Sequence, residues 1–432
     1  MYFTKGFMVI MNHFSLLKYI GGYPMFSYGR LESMFSVNVA GLKKSVIREL
    51  LKLTQQPGII SFAGGLPSPQ TFPIEEIAEL AKEVILREGK WALQYGPTEG
   101  DPRLKDEIIK IMKKDGVKAE RENILITSAS QQGLDMVGKV FINRHNPVII
   151  GRPSYVGALG AFKSYSARFV GVELDDDGMQ IEPLAQKLKE MRLVADLPKF
   201  IYVVPDFQNP AGVTLSLDRR KFLLELAREY QILVIEDTPY RQLRYVGEHL
   251  PSLYELDKGE GYVIALHTFS KILFPGLRLG WVVASDAIIE KFIIAKQAMD
   301  LCTPPLTQAI AYEYCRRGLL DAHIEENVAL YKKKRETMLN ALEEFMPEHP
   351  EIHWTKPEGG LFLWMKLPSN CDVDALFYQA LEEKVAYVVG TGFYADGGGK
   401  NAMRINFSYP SEDEIVEGVK RLAKVIQKNL KG

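Results

Sequence analysis

Lys271 closes an apolar run, Tyr262-Val263-Ile264-Ala265-Leu266, and is bracketed by groups suited to binding an anion. Hydroxyls stand one and three residues before it, at Ser270 and Thr268, and a guanidinium seven residues after it, at Arg278. Desolvation disfavours an ammonium, so a lysine beside a buried strand gives up its proton more easily than one in water. The neutral amine is a nucleophile toward carbonyls and can hold an aldehyde as a Schiff base. Thr268, Ser270 and Arg278 together can bind a phosphate. A plain surface lysine does not account for two hydroxyls, an arginine and the strand start Leu279-Gly280-Trp281 that follow one another here.

Other chemistry-bearing residues also fall where apolar runs end. Asp237 follows Ile232-Leu233-Val234-Ile235-Glu236 directly, where burial is costly unless the acid is paired. Asn209 precedes a proline after Phe200-Ile201-Tyr202-Val203-Val204, and its amide can donate to a phenolic oxygen or a carboxylate. Ser130 and Gln131 stand where the strand Ile124-Leu125-Ile126-Thr127 turns into a helix. Helix N-termini carry unpaired N–H groups that bind phosphate, and a capping serine uses the same groups. Arg404 sits alone in Ala402-Met403-Arg404-Ile405-Asn406, and a guanidinium grips a carboxylate with two parallel bonds. Tyr155, after Pro147-Val148-Ile149-Ile150, and Tyr95, in a turn-rich loop, read in isolation as a core and a loop tyrosine.

The elements that must position these groups read as α/β. Six strand candidates alternate with helices between about Ile124 and Leu266. Arg278 to Ala284 adds a seventh after a short loop; a parallel crossover needs about a dozen residues, so this strand is expected to run antiparallel. The expectation is a large domain, residues 67–320, with a mainly parallel seven-stranded sheet covered by helices and ligands at its carboxyl edge. A smaller α+β domain is expected from 36–66 and 321–432. Residues 1–35 lack periodicity and read as a dispensable extension or the product of an upstream start. Lys5 before Phe7-Met8-Val9-Ile10-Met11 is a poor secretory signal, being short and without a small-residue cleavage site.

Composition bounds the function. Lys+Arg number 53 against Asp+Glu 54, a balance that gives no support to nucleic-acid or membrane-surface partners. Three cysteines without metal or redox spacing point to a reducing compartment, the cytoplasm. No apolar run reaches the length of a membrane span. Asp175-Asp176-Asp177-Gly178 reads as a solvated turn rather than a metal site, and His349 and His353 carry no metalloprotease spacing.

Thr268-Phe269-Ser270-Lys271 followed by Gly276-Leu277-Arg278-Leu279-Gly280-Trp281 resembles the lysine segment of the fold-type I aminotransferases that use pyridoxal 5′-phosphate (PLP). The resemblance runs from about Leu42 to the C-terminus. It implies that Lys271 is the catalytic lysine that carries PLP, that Asp237 partners the pyridinium nitrogen, and that Asn209 and Tyr240 hold the ring oxygen. It implies stacking on the ring by Tyr155, and a phosphate site of Ser130, Gln131, Thr268, Ser270 and Arg278. Tyr95 would reach that phosphate from a partner subunit, so a homodimer is expected. Arg404 would clamp the substrate α-carboxylate, and Gly65 would border the substrate.

Phe62-Ala63-Gly64-Gly65-Leu66-Pro67, Leu93-Gln94-Tyr95-Gly96-Pro97 and Glu236-Asp237-Thr238-Pro239-Tyr240 are most similar to the kynurenine/2-aminoadipate group. The implied reaction moves an amino group from an aromatic amino acid, kynurenine or 2-aminoadipate to 2-oxoglutarate by a ping-pong mechanism. Some members meet a side-chain carboxylate with an arginine in the N-terminal helix; here Leu42 aligns there, beside Lys43 and Lys44, which tilts the expectation toward aromatic or broad specificity. Two rivals stay open on the motifs alone. One is a β-lyase or decarboxylase on the same scaffold. The other is a PLP-binding sensor domain of a transcription regulator, for which the roughly 40 preceding residues are too few and not basic.

Overall fold

The computed structural model describes residues 19–20, 23–24, 28–40 and 58–430. Its contacts divide the chain into residues 1–43 and 44–432. Within the first, Tyr19–Ile20 pairs antiparallel with Tyr23–Pro24, and short helices span Tyr28–Glu32 and Val37–Ala40. The expected helix from Leu42 to Leu53, with Leu42, Lys43 and Lys44, lies outside the described residues.

The second unit begins with β1 (Ile60–Ser61), then α1 (Ile74–Ala92) and α2 (Pro102–Lys114). There follow β2 (Ile124–Thr127), α3 (Ala129–Phe141), β3 (Pro147–Arg152), α4 (Val156–Lys163), β4 (Arg168–Asp175), β5 (Gly178–Met179) and α5 (Ile181–Leu193). Then come β6 (Phe200–Val203), α6 (Leu217–Tyr230), β7 (Leu233–Asp237), α7 (Leu253–Asp257), β8 (Val263–Thr268) and β9 (Gly280–Val283). Helices α8 (Asp286–Gln297), α9 (Pro305–Arg316) and α10 (Leu319–Phe345) lead to β10 (His353–Trp354) and β11 (Phe362–Lys366). The chain ends with α11 (Val373–Glu382), β12 (Val385–Ala386), β13 (Val388–Val389), β14 (Ala402–Asn406) and α12 (Glu412–Leu430).

The larger sheet has eight strands in the order β2-β9-β8-β7-β6-β3-β4-β5. Five of them, β8, β7, β6, β3 and β4, run parallel. The expected antiparallel strand is β9, which runs against both β8 and β2. The seven-strand expectation is corrected to eight. The turn at Asp175-Asp176-Asp177-Gly178 closes a hairpin, and the two residues of β5 pair with the end of β4. Asp175 there takes Arg219 rather than a cation from solution.

Strands β2, β9, β8, β7, β6 and β3 are buried on both faces, as the covered strands of a largely parallel sheet must be, while β4, next to the far edge, is only half-buried. Along β2, Leu125 faces one core while Ile124 and Ile126 face another, following the two-residue period of a strand. The same alternation sends Ile201 and Val203 of β6 to a third core under α5 and α6, and Phe200 and Tyr202 to the first. That first core continues into a four-stranded sheet, β10-β11-β14-β13, backed by α10 and α12. Caps fix where helices begin: Asp101 accepts from Arg103 N ahead of α2, with Pro102 at its first position, and Asp372 accepts from Asp374 N and Ala375 N ahead of α11.

Candidate active site

The carboxyl ends of β2, β3, β6, β7 and β8 open on one edge of the large sheet, where such folds bind ligands. A cavity of about 340 Å³ lies there. Gly65, Ser130, Gln131, Tyr155, Asn209, Asp237, Tyr240, Thr268, Ser270, Lys271, Arg278 and Arg404 all line it, so the structure gathers every expected site residue but Tyr95. Tyr95 sits in the loop between α1 and α2, is 77% exposed, and does not reach this chain's own cavity.

Lys271 Nζ donates to Gly65 O at 2.8 Å. Burial, reinforced by the cations Arg404 and Arg278, lowers its pKa from 10.5 to about 8. The amine therefore reaches its nucleophilic form far more easily than an ordinary lysine.

Asp237 ends β7 and is 2% exposed. Burial pushes its carboxyl up to about 7, and a bond from Tyr202 Oη to Oδ2 at 2.8 Å works the other way. Its Oδ1 is buried with no partner. The neighbouring acid resolves differently: Glu236 faces the opposite side of the sheet and accepts from Leu253 N at 2.8 Å and Tyr254 N at 2.9 Å. One of two adjacent acids is thus satisfied by backbone, and the other waits for a donor.

Arg404, on β14, is 6% exposed. Its Nη1 donates to Asn209 Oδ1 and its Nη2 to Ala63 O, both at 3.0 Å. The guanidinium lies 4.1 Å from the Phe362 ring centre. Among the described residues no carboxylate stands near it, and burial lowers its pKa to about 10. A buried arginine lacking an anion is costly, and a ligand carboxylate would supply the anion. The other end of the Asn209 amide, Nδ2, donates to Tyr240 Oη at 3.3 Å. Burial holds the Tyr240 phenol well above its usual range, so it keeps its proton and can donate.

The corner expected to take a phosphate is built from two loops either side of β9. Ser130 and Gln131 lie in the first turn of α3, entered through Ala129 at a left-handed φ of 63°. Thr268 Oγ1 lies 2.9 Å from Ser270 Oγ and accepts from Ser270 N at 3.1 Å. The loops meet because Gly280 lets them: a Cβ there would lie 2.4 Å from His267 O and 2.9 Å from Ala129 Cα. Gln131 is oriented by Nε2 donating to Gly157 O at 3.0 Å and by Tyr155 Oη, 3.5 Å from Oε1.

Three contributors escaped the sequence reading. Tyr202 was one more residue of an apolar strand, although a buried phenol always needs a partner. Phe362, whose ring centre lies 4.1 Å from the Arg404 guanidinium, carries no local mark that sets it apart from a core aromatic. Lys296, fully buried and bonded to Asp300 and Gln132 behind the turn into α3, interrupts the apolar Phe292-Ile293-Ile294-Ala295, and that interruption was the available signal.

An orphaned carboxylate oxygen, a phenol and amide pair, an anion corner and a depressed lysine fit the ring nitrogen, ring oxygen, phosphate and aldehyde of PLP. The comparisons agree. The model of the family "Aminotransferase class I and II" matches residues 59–422. Aromatic-amino-acid aminotransferase 1 of Thermococcus litoralis is 46% identical over 401 residues, 93% of this chain and 95% of that protein. The 2-aminoadipate transaminase of Thermus thermophilus is 42% identical over 395 residues, covering 91% and 96%. The crystal structure of Pyrococcus horikoshii kynurenine aminotransferase, in complex with PMP, is 47% identical with a TM-score of 0.89, over 94% of this chain and 99% of that one. The chain belongs to the class I and II aminotransferases. It is a PLP-dependent enzyme that exchanges amino groups between amino acids and 2-oxo acids.

Among the described residues no helix is long and apolar enough to cross a membrane, and no group of three or more His, Cys, Asp or Glu is placed to hold a metal ion.

Proposed function

We propose that the enzyme moves the amino group of phenylalanine, tyrosine, kynurenine or, less well, 2-aminoadipate to 2-oxoglutarate, in two half-reactions of a ping-pong cycle. PLP, when bound, supplies an aldehyde for the amino group and a ring that draws electrons from the α-carbon. Lys271 would hold the cofactor by its aldehyde, and its amine would carry the proton to and from the substrate α-carbon. Asp237 would accept from the ring nitrogen, Asn209 and Tyr240 would donate to the ring oxygen, and Tyr155 would stack on the ring. Ser130, Gln131, Thr268, Ser270 and Arg278 hold the phosphate. Arg404 takes the substrate carboxylate, and Gly65 borders the substrate: a Cβ there would lie 3.3 Å from Phe362 Cζ and 3.8 Å from Arg404 Nη2.

The observation that carries this reading is Arg404, buried in the cavity that Lys271 also lines and paired with no carboxylate among the described residues. The aromatic preference rests on the cavity's lining. Its cations among the described residues are Lys271, Arg278 and Arg404, each already assigned, while Tyr155, Tyr240 and Phe362 offer aromatic surface. We further propose a homodimer in which Tyr95 of the partner subunit completes the phosphate site, supported by the exposure of Leu93 and Tyr95 in one loop. Residues 36–66 and 321–432 are read together as a small domain against 67–320, and 1–35 as a dispensable extension. The three free cysteines accord with a cytoplasmic enzyme.

Visible spectra of the holoenzyme, recorded after adding one amino acid at a time, test the reading. Conversion of the cofactor band by phenylalanine, tyrosine and kynurenine, reversed by 2-oxoglutarate, is the expected result. A far stronger response to 2-aminoadipate overturns the aromatic preference. Release of ammonia alongside the 2-oxo acid, with the cofactor band left in its original form, would move the enzyme to the lyase reading, and release of carbon dioxide with the amine to the decarboxylase reading.

A further inference from the structure

Asp237 owes its orientation to one side chain. Tyr202 Oη, from the neighbouring strand β6, donates to Oδ2 at 2.8 Å, and no other side chain among the described residues bonds the carboxylate. Tyr202 is 1% exposed, and its ring packs edge-on against Phe162 at 5.6 Å, which leaves the phenol little freedom. The register sets Tyr202 opposite Ile235, so the phenol leans along the strand to reach the residue two further on. The other polar groups nearby are committed elsewhere. Thr238 Oγ1 lies 3.0 Å from Leu266 O and 2.7 Å from His267 Nδ1, Tyr240 is held by Asn209, and Glu236 faces away. Lys271 and Arg404 line the same cavity, bonded to Gly65 O and to Asn209 and Ala63 O. What remains open on Asp237 is Oδ1, buried and without a partner.

We infer that Tyr202 is a positioning residue: it occupies Oδ2 of Asp237, fixes the carboxylate plane and holds it ionised, so that Oδ1 alone meets the protonated ring nitrogen of the cofactor. The inference rests on the role proposed above for Asp237. The physics is a contest. Burial raises the Asp237 carboxyl and the Tyr202 bond pulls it back, the balance standing at about 7; without that bond the acid would hold its proton to higher pH. A carboxyl that already holds a proton cannot also accept one from a protonated ring nitrogen. A phenol that merely buries its hydroxyl on the nearest acceptor would leave the acid's titration irrelevant to the cofactor.

The test uses the apoprotein and pyridoxine 5′-phosphate, which has the ring and phosphate but no aldehyde for Lys271. Its dissociation constant is measured from about pH 5.5 to about pH 8.5 for the wild type, Tyr202→Phe and Asp237→Asn, with thermal unfolding alongside. Phe keeps the ring that packs on Phe162 and deletes one oxygen. In the wild type, affinity falls on acidification as Asp237 takes up a proton. In Tyr202→Phe the fall should begin about one pH unit higher, with binding about tenfold weaker near neutrality, the worth of a hydrogen bond to a charged group. Loss of the same factor at every pH, or a curve superimposed on the wild type, overturns the inference and leaves Tyr202 a packing residue. If Asp237→Asn itself binds with the wild-type profile, the role of Asp237 falls and this inference with it. If Asp237→Asn flattens the profile and Tyr202→Phe does not move it, only the inference about Tyr202 fails.

Discussion

Replacing Arg404 with methionine should nearly abolish amino acid recognition while barely loosening the fold. The magnitude follows from what surrounds the guanidinium. Burial lowers its pKa from 12.5 to about 10, so keeping it charged costs the empty protein roughly 3 kcal/mol. That cost is in full force below about pH 10, throughout the working range, and fades only above it as the folded group loses its proton. Methionine removes this cost and refills the volume beside Phe362. Against that, Asn209 Oδ1 and Ala63 O lose their donor, at about 1–3 kcal/mol each. The terms nearly cancel, so the apoprotein should lose about 3 kcal/mol at most. Catalysis has no such compensation. Two charge-assisted bonds to a carboxylate in a dry site are worth about 3–6 kcal/mol, a loss of about 10²- to 10⁴-fold in kcat/KM. The assay compares the half-reaction rate with phenylalanine and with phenylethylamine, the same molecule without its carboxylate. The amino acid should lose its advantage over the amine. Equal losses for both compounds, or a loss below about tenfold with phenylalanine, would refute the argument that Arg404 is kept for a carboxylate.

The Lys271 amine gives a prediction in pH. The unfolded chain keeps the ordinary 10.5 and the folded one about 8, so between these values the unfolded state binds more protons and stability rises with pH. Apoprotein Lys271→Met should therefore be more stable than wild type at pH 7 by about 3 kcal/mol, with the gap closing toward pH 10; a constant gap in thermal unfolding argues against a depressed amine. Gly280→Ala would drive a Cβ to 2.4 Å from His267 O, and should cost about 2–4 kcal/mol in stability and weaken PLP binding together. For the dimer, mixing inactive Tyr95→Ala with inactive Lys271→Ala under exchange conditions should restore activity, since one hybrid site is intact; no recovery despite confirmed mixed dimers counts against a shared site.

The residues that act at strand ends were legible because their chemistry leaves a local mark. An acid against an apolar run, an asparagine before proline, and a lysine with hydroxyls and an arginine around it are all unusual neighbours. The antiparallel turn of β9 was legible from loop length alone. What stayed hidden depends on register or on very short pairing. Tyr202 meets Asp237 only because β6 and β7 align as they do, and nothing in either segment states that alignment. The eighth strand is two residues long, too short to carry any period. Lys296 pairs with Asp300 four residues on, but its second partner, Gln132, is 164 positions away in the chain, and nothing local to its helix states that contact.

The joining of β8 and β9 has a mechanical consequence. Lys271 rides on a hairpin whose ends are stitched to each other, Thr268 to Gly280 and His267 to Trp281, and β9 is stitched in turn to β2. A crossover helix would have tied the lysine to a body that slides over the sheet. Arg404 is carried instead by the other sheet, between β11 and β13. Of these two cations that line the cavity, one is bolted to the frame and the other is mounted on a separate plate. Any relative displacement of the sheets then changes the gap between them while leaving the lysine's backbone where it is.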